Sequence, residues 1–327
     1  MRGYRVTEFG GTEVMCWEEL GELSPGPGQV LVAVRASAVN FAETRMRAGT
    51  YTGQELPFVM GMEAAGIVIA PGDGVQDFQP GDRVFGRARG SHAEQVLFDA
   101  EHLMPIPENL GFEQAAAIPV GWLTAWHALN TVVQAGPGDR VLIEAIGSSV
   151  GTAALQIALH RGCWVAGTAS TDAKCQRALE AGAHAAYNYK TGDLRQAVAA
   201  DTNGAGIDIG LMTIGQETAD ALLDVMGMDG RVVMYGSTGG RRVSFDLAIG
   251  TRNLQLLSMS ISSSPRFVPD TMRSFREEAL GLFLDGTFRS AVDVTLPMDQ
   301  LVRAHEMIDE RTHFGKIVLT RNSEHAA

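Results

Sequence analysis

Cysteine is scarce, positive charge is outnumbered and long apolar runs are missing; each absence removes a class of function. The 327 residues include three cysteines, Cys16, Cys163 and Cys175, at wide spacings and with no C-x-x-C. That excludes a disulfide framework and fits a reducing compartment. Lys and Arg total 26 against 38 Asp and Glu, a formal charge of −12. An acidic chain of this kind is not built around nucleic acid or an anionic membrane, although a few local donors can still hold one phosphate. No segment approaches the roughly 20 apolar residues of a membrane span. The opening "MRGYRVTEFGG" lacks the apolar core of a secretory leader. The expectation is a cytoplasmic protein without nucleic-acid or membrane partners.

Two further absences are local. In "VLIEAIGSSVGTAAL" (141–155) a short apolar run enters small residues and then a helical pattern, as in a dinucleotide-binding turn. The full G-x-G-x-x-G is missing: Gly147 and Gly151 remain, with Ser148 and Ser149 between them. In "GTASTDAK" (167–174) the end of the next strand lacks the Asp or Glu that accepts hydrogen bonds from a ribose 2′-hydroxyl in NAD sites. Thr168, Ala169 and Ser170 stand there, with Lys174 one turn later.

What is present has the composition of an ordinary globular protein, 45% hydrophobic and 20% charged. Over the first 120 residues, short alternating segments such as "QVLVAVRASAV" (29–39) and "AAGIVIA" (64–70) are punctuated by "GPG", "PGDGV" and "QPGDRVFG". This predicts a compact, partly open β-barrel. From about residue 121, strands alternate with helices of 10 to 15 residues through "LQLLSMSI" (254–261), which predicts a parallel sheet covered on both faces. The tail predicts helices near 270–285 and 299–311 and a final strand, "KIVLT", that returns to the first domain. The fold class is therefore α/β, with domains at 1–121 plus 262–327 and at 122–261.

Small residues, close backbone approach and a free helix N-terminus are what a phosphate-binding βα turn requires. Ala145, Gly147, Ser148, Ser149 and Gly151 meet these conditions, and Val150 completes the expected cofactor-binding loop. A strand end with a hydroxyl and an ammonium in place of a carboxylate suits a 2′-phosphate.

Together these residues resemble the zinc-independent quinone oxidoreductase branch of the medium-chain dehydrogenase/reductase superfamily. The resemblance runs through "VNFAETRMRAGTY" (39–51), "PFVMGMEAAGIV" (57–68), "PGDRVFG" (80–86), "SHAEQ" (91–95), "AAAIPVGWLTAWHAL" (115–129), the serine-containing loop and "FGKIVL" (314–319). It implies a GroES-like domain joined to a Rossmann-type domain, and NADPH as cofactor. It further implies that Ser170, Lys174 and Tyr189 surround the 2′-phosphate. Asn40, Tyr51 and Thr124 would lie near the nicotinamide and substrate, Gly236 and Ser237 would line the nicotinamide side, and Lys316 would approach from the tail.

The departures are informative. Zinc-using relatives carry a ligand Cys near position 40 and a His at the place of Met62, and a thioether cannot replace imidazole on zinc. The four-cysteine lobe is missing. His92, His102 and His127 lack ligand spacing and are expected to be surface or hydrogen-bonded residues, so no metal is expected. Glu144, next to the loop, must be paired or turned away from phosphate, and Trp126 is larger than its usual counterpart. Without a metal, a hydrogen-bond donor must stabilise the oxygen that gains charge when hydride reaches a quinone or enone. Tyr51 is the first candidate and Asn40 the second; Glu63 is expected to hydrogen-bond structurally. An enoyl reductase or non-redox cyclase on this fold, and an NADPH-binding sensor without turnover, are the alternatives. The uncharged "LQLLSMSI" edge predicts a homodimer with a continuous sheet.

Overall fold

The structure is a computed structural model that describes residues 1–236, 238–240, 242–245 and 247–321. The chain divides into two units, one formed by Met1–Val120 with the segment from Ser274 onward, the other by Gly121–Arg273. The first boundary lies between Val120 and Gly121. The second lies later than residue 262, because 262–273 packs within the second unit. There Phe267 is buried, and the Thr271 hydroxyl meets His127 Nδ1 at 2.6 Å and Thr131 Oγ1 at 2.8 Å.

The first unit is organised around the Gln29–Val39 strand. One of its edges pairs antiparallel with Glu63–Pro71. The other edge is shared: Gln95–Asp99 takes residues 29–33, and the last strand, Lys316–Thr320, takes residues 36–39. The chain's tail thus completes a sheet begun near its start, as the sequence predicts. Val30, Val32 and Val34 point into a core shared with Phe98, Leu301 and Ile317. A second, three-stranded sheet is built from Cys16–Glu19, Arg2–Val6 and Phe58–Val59.

The second unit is a six-stranded parallel sheet in the order Ala185–Asn188, Trp164–Ala169, Arg140–Ile143, Ile207–Met212, Met226–Met234, Gln255–Ser258. Val141, Leu142 and Ile143 are fully buried, as strands covered on both faces must be. The chain winds outward in both directions from Arg140–Ile143, so the carboxyl end of that strand is the switch point at which such sheets bind ligands. Its start is tied to the neighbouring strand by a two-pronged Arg140–Asp208 pair, at 2.8 and 2.7 Å. Gln255–Ser258 closes the sheet as an edge strand. All three cysteines are free thiols.

A polar group lies inside the apolar core of the first unit. Glu43, on the Phe41–Arg47 helix, and His92 are fully buried and share a contact of 2.5 Å between Oε2 and Nε2. His305, on the Leu301–Asp309 helix packed alongside, is also fully buried, and neither ring nitrogen has a hydrogen-bond partner. Burial pushes the His305 pKa from its ordinary 6.5 down to about 4; Glu43 opposes the shift, while His92 and Arg47 add to it. The Glu43 carboxyl would be raised by burial, but His92, His305 and Asn40 together hold it below the usual range.

These shifts act in the same direction on stability. Unfolded His305 binds a proton below about pH 6.5, whereas the folded residue does not until about pH 4, so its contribution is complete above the first value and is lost as pH falls to the second. Glu43 adds a loss at still lower pH. Urea unfolding should show stability dropping by roughly 3 kcal/mol between pH 7 and pH 4 from His305 alone. His305→Leu should flatten that slope, and an unchanged slope would remove His305 as its origin.

Candidate functional site

In the second unit the strand Arg140–Ile143 runs into the helix Ser149–His160. Ser148 caps this helix, its Oγ accepting the Gly151 N–H at 3.0 Å. A serine here does work that glycine cannot, since it satisfies one of the donors left open in the first turn. Gly151 has no alternative: a Cβ would lie 2.5 Å from the Ala145 carbonyl oxygen and 2.6 Å from that of Ile146. The turn is therefore pressed against the helix start. The partly exposed Ser148, Ser149 and Val150 surround N–H groups that lack helical partners, the arrangement that favours a phosphate. The residues present thus fit a pyrophosphate.

The neighbouring strand Trp164–Ala169 ends at Ser170, and Thr171 caps the next helix by accepting the Lys174 N–H at 3.3 Å. Tyr189 follows the adjoining strand, and its N–H donates to Ala169 O at 3.1 Å. Ser170, Lys174 and Tyr189, all half-buried, are therefore brought to one end of two adjacent strands. Asp172 at the same helix start is already engaged, accepting from Asn188 Nδ2 at 2.7 Å.

Glu144 is turned away from the loop. Its Oε2 accepts the backbone N–H groups of Thr213 (2.8 Å) and Ile214 (3.0 Å), just beyond the strand Ile207–Met212. Thr213 and Ile214 in turn accept, through their carbonyls, the N–H groups of Thr238 and Gly239. Gly236 lies against the same turn, where a Cβ would sit 2.4 Å from Thr213 Oγ1. Ser237 lies outside the described residues. Thr124 is buried on the helix Pro119–Trp126, and Trp126 is buried under the Arg161 guanidinium.

In the first unit Asn40 precedes the Phe41–Arg47 helix and forms a capping box with Glu43. Its Nδ2 donates to Glu63 Oε1 (2.9 Å), Glu43 Oε1 (3.1 Å) and Ala38 O (3.3 Å), and its Oδ1 accepts from Lys316 Nζ at 2.5 Å. Lys316 also pairs with Glu63 Oε1 at 2.6 Å, and Glu63 Oε2 accepts the Val120 N–H at 2.6 Å. Glu63 thus has the structural hydrogen-bonding role expected of it. The Asn40 amide is fully committed and does not offer an N–H to a further group.

Sequence reasoning did not single out Glu43 or Arg87. Arg87 stands opposite Glu63 in the strand register and faces both Glu63 and Tyr51. Burial lowers its pKa, and those two groups raise it. The Tyr51 N–H is anchored on Arg45 O at 3.1 Å. Ser37, His92 and Glu43 follow one another at 2.8 and 2.5 Å, in the order of a nucleophilic triad. Ser37 is fully buried, however, and its Oγ also bonds Glu63 O and Ser91 Oγ, so the group is structural. Among the described residues no cluster of three or more His, Cys, Asp or Glu is arranged to hold a metal ion. No helix among them is long and apolar enough to cross a membrane.

Comparison with known proteins agrees with this architecture. The family description "Alcohol dehydrogenase GroES-like domain" matches residues 26–108, and "Zinc-binding dehydrogenase" matches residues 149–278. The chain is 34% identical to a 2-haloacrylate reductase of Burkholderia sp over 329 residues, covering 96% of this chain and 97% of that protein. It is 30% identical to the quinone oxidoreductase of Rattus norvegicus over 324 residues, covering 98% and 97%. It is also 36% identical over 305 residues to the Streptomyces venezuelae pikromycin polyketide synthase component PikAII; the match takes in 91% of this chain but only 8% of that protein. Escherichia coli quinone oxidoreductase complexed with NADPH superposes with a TM-score of 0.91 at 28% identity, over 98% of this chain and all of that one. The chain belongs to the quinone oxidoreductase branch of the medium-chain dehydrogenase/reductase superfamily, with a GroES-like domain and a Rossmann-type domain.

Proposed function

We propose that the protein is an NADPH-dependent, zinc-independent oxidoreductase that delivers hydride to a quinone or an α,β-unsaturated carbonyl. The observation that carries the cofactor choice is the strand end at Ser170, Lys174 and Tyr189, with Asp172 held by Asn188. Such a surface presents hydroxyl and ammonium donors to a 2′-phosphate, and the nearby Asp172 carboxylate already accepts from Asn188. Gly147, Ser148, Ser149, Val150 and Gly151 would hold the pyrophosphate, and Gly236 and Thr124 would line the nicotinamide end. NADPH supplies the hydride when bound. Tyr51 serves as the donor to the carbonyl oxygen that gains charge. Asn40 and Glu63 fix the Lys316 ammonium at 2.5 and 2.6 Å. The names of the relatives, a 2-haloacrylate reductase and quinone oxidoreductases, support an electron-poor acceptor. The match to a short part of a polyketide synthase component favours a second reading, enoyl reduction within a biosynthetic pathway.

Oxidation of NADPH, followed spectrally on a panel of quinones and enones after exhaustive chelation, tests the chemistry. Turnover should persist without metal; stoichiometric zinc whose removal abolishes activity would refute the zinc-independent reading. Tight NADPH binding with no turnover on any acceptor would point to the cyclase or the sensor. The native protein should bind NADPH over NADH by about ten- to hundredfold, the value of one charge-assisted contact of roughly 1.5–3 kcal/mol. Lys174→Ala should lose most of that preference, and retention of it would move the 2′-phosphate site elsewhere.

The edge strand Gln255–Ser258 supports a homodimer with a sheet continued across a two-fold axis. Leu256 and Leu257 are half-buried in the single chain, and the strand carries no charge. Light scattering at micromolar concentration should give twice the chain mass. Leu256→Lys or Met259→Lys should split the dimer, and a dimer that survives both substitutions has its interface elsewhere.

A further inference from the structure

Glu144 is the residue of the second unit whose chemistry is least accounted for by the site described above. The residue is 1% exposed at the root of the phosphate loop. One oxygen is saturated: Oε2 takes the N–H groups of Thr213 and Ile214. The other, Oε1, makes no well-formed hydrogen bond; the Thr218 hydroxyl lies near, but donates to Gly215 O at 3.5 Å and meets the carboxyl only weakly. A cavity of about 50 Å³ adjoins the carboxyl, lined by Glu144, Thr168, Tyr189, Glu217 and Thr218 together with apolar side chains. Among the described residues, none that lines this cavity is a cation. The groups around it are Glu217 and Thr218 from the helix Gln216–Asp224, Tyr189 and Thr168 from the two strand ends, and Tyr235 beyond the strand Met226–Met234. Tyr235 likewise has a buried hydroxyl without a hydrogen-bond partner.

A buried carboxylate with one oxygen unmatched is costly, whereas a neutral carboxylic acid in the same place is not. The next residue, Ala145, begins the loop that would carry a pyrophosphate. A polyanion bound there adds negative charge beside Glu144 and shifts the balance further toward the neutral form. We propose that Glu144 is a positioning residue for the dinucleotide pocket and that NADPH is taken up together with one proton from solvent, which comes to rest on the Glu144 carboxyl. The inference rests on the NADPH reading above.

Two features of the structure support it. The Thr168 and Thr218 hydroxyls line the cavity and would accept from a protonated Oε1. The bonds from Oε2 to Thr213 and Ile214 remain intact in either state, so the turn that buttresses Thr238 and Gly239 keeps its place while the proton is bound. The free protein is already biased in this direction: burial raises the Glu144 pKa, although the N–H groups of Ile214 and Thr213 and the Thr218 hydroxyl oppose the rise. The linkage sign follows. A bound state that holds more protons than the free state loses affinity as pH rises, by at most tenfold per pH unit.

Calorimetric titration of the intact protein with NADPH, in buffers of different ionisation enthalpy at several pH values, reads the protons taken up. The native protein should absorb a fraction of a proton, up to one, that Glu144→Gln does not absorb. The variant keeps an amide oxygen for Thr213 and Ile214, so its NADPH affinity should be near native at low pH and flatter above. Glu217→Gln, which changes the exposed carboxylate nearby, should behave as native. In the native protein, an infrared difference spectrum should gain the carbonyl stretch of a neutral carboxylic acid when NADPH binds. This measurement stands even where the variant folds poorly. Equal proton uptake in native and Glu144→Gln protein, or a spectrum without that band, overturns the proposal while leaving NADPH binding intact. Failure to bind NADPH at any pH overturns both.

Discussion

The Glu63 carboxyl group, buried inside the first unit, is met by donors from three distant stretches of the chain. Its carboxylate is fully buried, and the donors are Lys316 Nζ from the last strand, Asn40 Nδ2 from the end of the Gln29–Val39 strand, and the Val120 N–H. Removing one partner from such a buried pair costs about 3–5 kcal/mol, because the other is left uncompensated. The pair therefore selects conformations in which Lys316–Thr320 has returned to pair with residues 36–39. The discontinuity of the unit and the position of Lys316 are two results of one electrostatic requirement. The same requirement explains why Asn40 does not act as a free donor: all its polar atoms are used in holding the two charges in register.

The second unit meets a comparable demand differently. Glu144 is matched by two backbone N–H groups and by no cation, so its negative charge is only partly offset. The loop beside it shows where glycine is indispensable and where it is not. At 151 any Cβ would collide with two carbonyl oxygens. At 145 the backbone is left-handed, φ 49°, yet carries a methyl group, at a cost of about 1 kcal/mol. Ser148 replaces a flexible residue with a helix cap. The glycine-poor turn exchanges backbone freedom for side-chain hydrogen bonding while keeping the close helix-to-strand packing that a phosphate needs.

The features legible in the sequence are those written over short distances. The alternation of strand and helix, the turn at 147–151 and the neutral strand end at 168–170 each occupy a few neighbouring residues, and each was found where expected. The features that were not legible join residues far apart. Glu43 meets His92 across 49 positions and Lys316 meets Asn40 across 276; no periodicity marks either pairing. His92 could be read only as a surface or a hydrogen-bonded histidine, and it is the latter. The tail boundary lies later than residue 262 for the same reason: Thr271 belongs with His127 and Thr131 through side-chain bonds that join residues about 140 positions apart. Arg87 had a weaker signal available, since a strand ending in "FGR" opposite "EAA" brings it beside Glu63 once the register is known.

A chain with a formal charge of −12 is an unlikely-looking host for a phosphate-rich cofactor, and the conflict is settled by distance. At physiological ionic strength the screening length is about 8 Å, so carboxylates spread over the surface contribute little at the loop. Groups within hydrogen-bond reach act almost unscreened, and in the proposed site these would be the N–H groups at the start of the Ser149–His160 helix and, at the strand end, Ser170, Lys174 and Tyr189. Carboxylates that do lie close are engaged by neutral donors: Asp172 accepts from Asn188, and Glu144 is offset in part by the Thr213 and Ile214 N–H groups. Net charge thus governs which macromolecules approach this protein, whereas a handful of short contacts governs which small anion stays.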